Sequence, residues 1–412
     1  MQSVVIPGPT GDLDREWRCT QASWVRGLTW FALFFSSGLY AAHFFLGGGL
    51  GHRILDSWAY LQMSDGQQVG VPFNSRILSS SAAALIAAAT GLSASTVFDL
   101  LTPASLLWSL FLLRKIIGRR GGSQEWQAAV LLAFGCSLAV TFGYTPVLVD
   151  PTLLLFVCLT ITALDGGRLA LALAAVCAAT LTKEYGVVLG VVWAFHAFHY
   201  GFRKLACLGL ILPAATLLIV VLTRQSNSAL GLPTWPAFAF HLMFEYQLSV
   251  FRVRGPADYG KLVYLWSWCA VWPTLFIGTF SLFFRRMGRV RMTADQVSFA
   301  IVLGTLPVLL LGDWIRSLII MVPFACIVAT AHPLARDRRF ASLLAVGGLS
   351  TALARPFHSE TPPPYLFTLM MTIVSAASSL AIAMILLRRA RSGGAKELHP
   401  GLRKTAGEVA LQ

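Results

Sequence analysis

Residues 127–144 read QAAVLLAFGCSLAVTFGY, a stretch with no charged side chain, and its reading decides the fold. A run of that length approaches the ~20 residues that carry a helix across ~30 Å of hydrocarbon. Comparable runs occur at 27–51, 97–117, 152–164, 169–182, 186–200, 205–222, 262–284, 296–312, 317–332, 340–353 and 365–387. Backbone N–H and C=O groups in lipid must be bonded within their own segment, so these runs are predicted to be helices. The alternating short strands of an outer-membrane barrel are not seen in the sequence. In a chain of 412 residues, 56% hydrophobic and 12% charged, the pattern predicts an all-α polytopic membrane protein. About twelve transmembrane helices are expected, with juxtamembrane helices in the first and a later outer loop. The division is a segment 1–26 on the cytoplasmic side, one membrane domain over 27–387, and a basic cytoplasmic tail over 388–412.

The net charge of +14 would suggest nucleic acid in a chain without spans. Here the basic residues gather in short connections: Arg114 to Arg120, Arg203 with Lys204, Arg285 to Arg291, Arg336 to Arg339, and the tail from Arg388. The positive-inside rule accounts for them and no nucleic-acid partner is expected. Most of the 32 Lys and Arg then fall on one side, which puts both termini in the cytoplasm of a cell whose inner (plasma) membrane holds the chain. The 7 cysteines include no closely spaced pair, and most lie in apolar runs where Cys acts as a small hydrophobe, so neither disulfides nor a thiolate metal site are expected. No small-residue cleavage site follows the first run, which is read as a retained helix.

Acidic residues are scarce, and under this topology several fall in the opposite set of loops. Asp56 lies in HRILDSWAY (52–60), directly after the first run. A carboxylate at a membrane lip suits a general base, because partial burial raises its pKa towards the working pH. It also suits a helix start or an interfacial anchor beside Trp58 and Tyr60. Asp150 precedes Pro151, a pattern that predicts an N-cap at Asp150 and leaves a catalytic role additional. Lys183 and Glu184 are adjacent between two apolar runs; they can pair locally, or Lys183 can meet a phosphate or sugar hydroxyl. Asp313 and Arg316 stand one turn apart, either as an internal ion pair or with Arg316 forked on a phosphate. Segment 77–92, rich in Ser and Ala, is read as a re-entrant or surface helix, since a further crossing would reverse the parity of the loops. Within 223–261, His241, Glu245, Ser249 and Arg252 form one polar stripe on a helix predicted over 237–254, lying in the interface. Arg252 and Arg254 there can meet a lipid phosphate or simply anionic headgroups. His196 and His199 share a face, but no carboxylate or cysteine completes a metal site. Gly186 and Gly190 are better explained by close helix packing than by a phosphate loop.

Taken together, the first-loop acid in Asp56-Ser57-Trp58-Ala59-Tyr60, the stretch from Pro72 through Arg76 to Leu78, Asp150, the Thr182-Lys183-Glu184 step and Asp313-Trp314-Ile315-Arg316 resemble the GT-C superfamily of polytopic glycosyltransferases. The resemblance runs roughly from Gly27 to His332. It implies an inverting enzyme that takes a sugar from a polyprenyl-phosphate donor to an acceptor hydroxyl on a lipid or glycan at the outer membrane face. It also implies Asp56 as base, with Asp150 as a second catalytic acid. Lys183, Glu184, Asp313, Arg316, Arg252, Arg254, Tyr60 and Arg76 become the donor-phosphate and substrate side. No metal or other cofactor is expected. The chain departs from many members in carrying a lone first-loop acid, with Asp65 nine residues on, and in showing no soluble outer domain. The physical logic agrees, since a lipid-phosphate leaving group needs no nucleotide fold and no glycine-rich phosphate fingerprint is present.

Two other classes share the hydropathy. A lipid-linked polysaccharide polymerase or ligase would depend on arginines in large outer loops, which Arg252 and Arg254 supply. A transporter or flippase of lipid-linked sugars would place ionisable residues midway along helices, and most runs have none.

Overall fold

The structure, a computed structural model, describes residues 10–46, 55–67, 69, 73, 76–144, 147–224, 293–305 and 314–354, with scattered residues between 370 and 388. The described elements are helical. They are α1 (Thr10–Leu46), α2 (Leu55–Ser64), α3 (Ile77–Thr90), α4 (Ala94–Arg119), α5 (Gln124–Tyr144), α6 (Asp150–Asp165), α7 (Leu169–Thr182), α8 (Val187–His199), α9 (Arg203–Arg224), α10 (Ala294–Gly304), α11 (Trp314–Thr330) and α12 (Arg338–Ala354). The predicted run 169–182 coincides with α7, and most neighbouring runs agree with their helices to within a few residues. The polar residues before the first run are part of α1, which begins at Thr10. Four described segments are long and apolar enough to cross a membrane: Gly27–Phe45, Ala94–Arg119, Gln124–Gly143 and Arg203–Val220. Twelve crossings are therefore not established, and the run 262–284 lies outside the described residues.

α5, the helix of the opening stretch, is the centre of the packing. Its crossing window is wholly buried. α1 and α12 press on it where small residues allow backbones to meet. A side chain at Gly135 would overlap Ser36, one at Gly143 would overlap the α1 backbone at Tyr40, and one at Gly348 would overlap Ala133. Such contacts replace the hydrophobic drive that is lost between helices in lipid. The closeness of Gly190 to Gly209, where a Cβ would lie 2.2 Å from a backbone oxygen, joins α8 to α9 in the same way.

Consecutive helices reverse direction, so the bundle has two ends. At one end Arg120 donates to both carboxylate oxygens of Asp165 and, at 2.9 and 3.2 Å, to Asp295. That joins the end of α4, the end of α6 and the start of α10. Glu125 and Arg338 meet at the same end. The other end holds Asp56, Arg76, Asp150, Lys183 and Glu184. α3 starts there, at Arg76, and ends at Gly91 in a left-handed cap (φ 74°) only three residues before α4. α4 then runs from there to Arg119.

Candidate active site

The site is built around a reversal between α7 and α8. α7 stops at Lys183, whose extended backbone (φ −158°, ψ 137°) breaks the helix. Glu184–Gly186 form a single 3₁₀ turn before α8. Gly186 lies against the preceding helix so closely that a Cβ would be 2.3 Å from the Ala179 carbonyl carbon. The tight turn sends the two adjacent charges to different partners. Lys183 Nζ donates to Asp150 Oδ1 at 2.6 Å, and both side chains are only 1% exposed. The ammonium also lies 5.3 Å from the centre of the Tyr185 ring. Burying either charge alone would cost several kcal/mol, which is why the two are found together.

Asp150 is the first residue of α6, with Pro151 behind it, and the cap position falls on Val149. The predicted N-cap is thus displaced by one residue, because Pro151 takes the first turn with its fixed φ and Asp150 is drawn in ahead of it.

Glu184 turns the other way. Arg76 Nε and Nη2 donate to its two oxygens at 3.0 and 2.7 Å, a two-pronged contact. The remaining Nη1 donates to the Tyr60 hydroxyl at 2.9 Å. Phe73 completes the packing, with its ring 5.6 Å from the Arg76 guanidinium and edge-on to Tyr60. Burial alone would push the Glu184 carboxyl up; the Arg76 charge and hydrogen bonds, with Lys183 beyond, hold it below the usual carboxylate range. Burial likewise opposes the charge on Arg76, and Glu184 and Tyr60 more than offset it, so the guanidinium stays charged.

α2 lies over these pairs and carries Asp56 in its first turn, where a carboxylate also favours the helix dipole. Ser57 Oγ donates to the Val147 carbonyl at 3.1 Å, and the Ser64 hydroxyl lies 2.9 Å from the Tyr60 carbonyl of its own helix and 3.2 Å from the Ser80 carbonyl of α3. Ser57 and Tyr60 are buried, Trp58 is exposed, and Asp56 is half-buried. Asp56 and Tyr60 are four residues apart and share a helix face. The carboxylate therefore sits at the lip of the buried cluster, above Tyr60.

Of the sequence candidates, the structure gathers Asp56, Tyr60, Arg76, Asp150, Lys183 and Glu184 at one end. Arg252, Arg254 and Asp313 lie outside the described residues, and of Arg316 only the backbone, in α11, is described. Asp65 is exposed in the turn after α2. His196 is at the opposite end, with Nε2 2.9 Å from Ser298 Oγ. Among the described residues no group of three His, Cys, Asp or Glu side chains has metal-binding proximity. Sequence reasoning missed Ser57 and its bond to Val147, since one serine among many carries no signal. It also missed the Arg120 junction, although Asp165 and Asp295 are acids in otherwise basic connections and so were visible.

No protein-family model matches the chain, and no curated protein matches it. Among solved structures, the cryo-EM structure of arabinosyltransferase EmbB from Mycobacterium smegmatis is similar over 94% of this chain at 16% identity, with a TM-score of 0.48. The chain spans 39% of that protein's length, and a likeness of this size carries no argument about function.

Proposed function

We propose that this chain is a membrane-embedded glycosyltransferase of the GT-C type. It would move a sugar from a polyprenyl-phosphate donor to an acceptor hydroxyl at the outer face. The supporting observation is the gathering of Asp56, Asp150, Lys183, Arg76 and Glu184 at one end of an apolar helical bundle, with Asp56 at its lip. Buried ionisable groups in such a setting are expensive and mark function. In the proposed reaction the Asp56 carboxylate takes the acceptor's proton. The acceptor oxygen forms a bond to the anomeric carbon as the bond to the phosphate oxygen breaks, and the electron pair leaves on the polyprenyl phosphate. Attack opposite the leaving group inverts the carbon. Charge grows on the phosphate as the bond breaks, so a fixed cation there stabilises the transition state more than the ground state. Lys183 and Arg316 are the proposed cations, with Asp150 fixing Lys183, and Arg252 and Arg254 receive the lipid phosphate.

The test is release of polyprenyl phosphate from a panel of labelled polyprenyl-phosphate sugars by the purified chain in lipid nanodiscs, with membrane lipid and glycan acceptors supplied. Transfer of label to an acceptor supports the reading; no transfer with any donor rejects it. One observation favours a second reading, a flippase of lipid-linked sugars: the Lys183–Asp150 pair is enclosed within the bundle, as in an ion pathway. Movement of a labelled lipid-linked sugar between vesicle leaflets without any transfer would select that reading.

A further inference from the structure

We infer that Arg76, Glu184 and Tyr60 are positioning residues: the Arg76 guanidinium locks α2, and with it Asp56, onto the α7–α8 turn. α2 is a short helix of 10 residues, too short to hold its shape alone in water or at an interface. It is fixed by side chains at three levels. Ser57 is bonded to Val147, Tyr60 to Arg76, and Ser64 shares its hydroxyl proton between the Tyr60 carbonyl of α2 at 2.9 Å and the α3 carbonyl of Ser80 at 3.2 Å. The middle contact differs from the others in being charge-assisted, and it is enclosed. Tyr60 is 0% exposed and Arg76 6%.

Three of the five guanidinium N–H groups are used in these bonds, two on Glu184 and one on Tyr60. The planar fork fixes the angle between them, so the Glu184 carboxylate dictates where the Tyr60 hydroxyl must lie. One turn earlier on the same face is Asp56. A base acts only within hydrogen-bond reach of its proton, and displacement by about 1 Å is enough to lose a large share of the rate. Glu184, 128 positions from Asp56 in sequence, thus sets the Asp56 carboxylate without touching substrate. The catalytic consequence rests on the proposed glycosyl transfer, whereas the mechanical one does not.

Hydrogen exchange of the full chain in nanodiscs separates the two. Tyr60→Phe removes a single hydrogen bond to a charged group, and Glu184→Ala removes the carboxylate that aligns Arg76. Amides of α2 are expected to exchange about tenfold faster in both, the worth of one such bond, while α5 and α7 amides are unchanged. Glu184→Gln, which keeps one acceptor oxygen, should recover part of the protection. Unchanged α2 exchange in Tyr60→Phe overturns the inference. So does a rise spread equally over all helices in Tyr60→Phe, since that is general loosening; the same spread in Glu184→Ala alone leaves Tyr60→Phe to decide. If the chain transfers sugar, both variants should lower kcat with little change in donor KM, and an effect confined to KM overturns the positioning role. If the native chain transfers nothing, the proposed function fails and the exchange result still stands.

Discussion

Lys183 and Glu184 are sequence neighbours of opposite charge, able to pair locally or, through Lys183, to meet a phosphate or sugar hydroxyl. The structure directs them apart, to Asp150 and Arg76, which are 33 and 108 positions away. Removing one member of the enclosed pair leaves a charge buried without its counter-ion. Lys183→Met should therefore lower stability by about 3–5 kcal/mol, while Lys183→Met with Asp150→Leu should recover most of it. Denaturation of the wild type, Lys183→Met, Asp150→Leu and the double variant measures the coupling, and independent, additive losses would contradict the pair. Asp56 stands in contrast, at the lip and half-buried. Asp56→Asn keeps size and some hydrogen bonding but cannot accept a proton. It should leave folding intact and reduce sugar transfer by roughly two to four orders of magnitude. Asp65→Asn, at an exposed turn, should transfer sugar normally; normal turnover in Asp56→Asn would move the base elsewhere. Each of the six gathered residues was legible as a type worth watching, because charges are scarce in this chain. Their pairings were not, since periodicity reports on one helix at a time and these bonds join residues far apart in the chain.

Helix lengths explain why the charges are enclosed. α7 and α8 have 14 and 13 residues, against 26 in α4. At 1.5 Å per residue that is about 20 Å against about 39 Å. With the opposite ends tied together near Asp165 and Arg120, the Lys183–Gly186 turn stops well short of the length of α4, and α3, packed on both α4 and α7, lies beside it. The run lengths 169–182 and 186–200 announced this shortness in the sequence, and the boundary of α7 was legible to the residue because charge ends it on both sides. α2 and α3 were harder, since surface helices in a membrane protein lack a clean apolar run. Gly186 is the hinge of the arrangement. A methyl group there meets the α7 backbone at Ala179 and Thr180, which cannot move aside as a flexible side-chain tip would. Gly186→Ala should cost at least about 1–3 kcal/mol, as overpacking does. Gly38→Ala, inside α1 with nothing within 4 Å of its Cβ, should be neutral or slightly stabilising. Equal thermal stability of the two variants would show that the reversal tolerates a wider turn.

For the whole molecule, Arg120 is a three-helix junction at the end opposite the site. Arg120 was legible only as part of a basic connection that orients the chain, yet it also bonds Asp165 and Asp295 and so joins α4, α6 and α10. Burial opposes its charge, and the two carboxylates raise its pKa well beyond any working pH. Arg120→Ala would leave those carboxylates facing each other, with an expected loss of about 1.5–3 kcal/mol in thermal unfolding, and Arg120→Lys should recover only part because it lacks the fork. Orientation is a separate matter, carried by many residues at once. Among the described residues, Arg114 to Arg119, Arg203 with Lys204, and Arg336 to Arg339 lie at the end of Arg120, while Asp56, Asp150 and Glu184 cluster at the other, so a bilayer across the bundle would put the proposed site on the side away from those connections. Asp56→Cys and Ser123→Cys place thiols at the two ends. In sealed inside-out and right-side-out vesicles, a membrane-impermeant maleimide should label position 56 only from the outside and position 123 only from the cytoplasmic side, after subtracting the native cysteines. Labelling of both positions from one side would mean either that α4 does not cross or that 77–92 crosses with it, and both overturn the proposed topology. The reverse pattern would mean that the chain is inserted with its site facing the cytoplasm, where a transfer at the outer face could not take place.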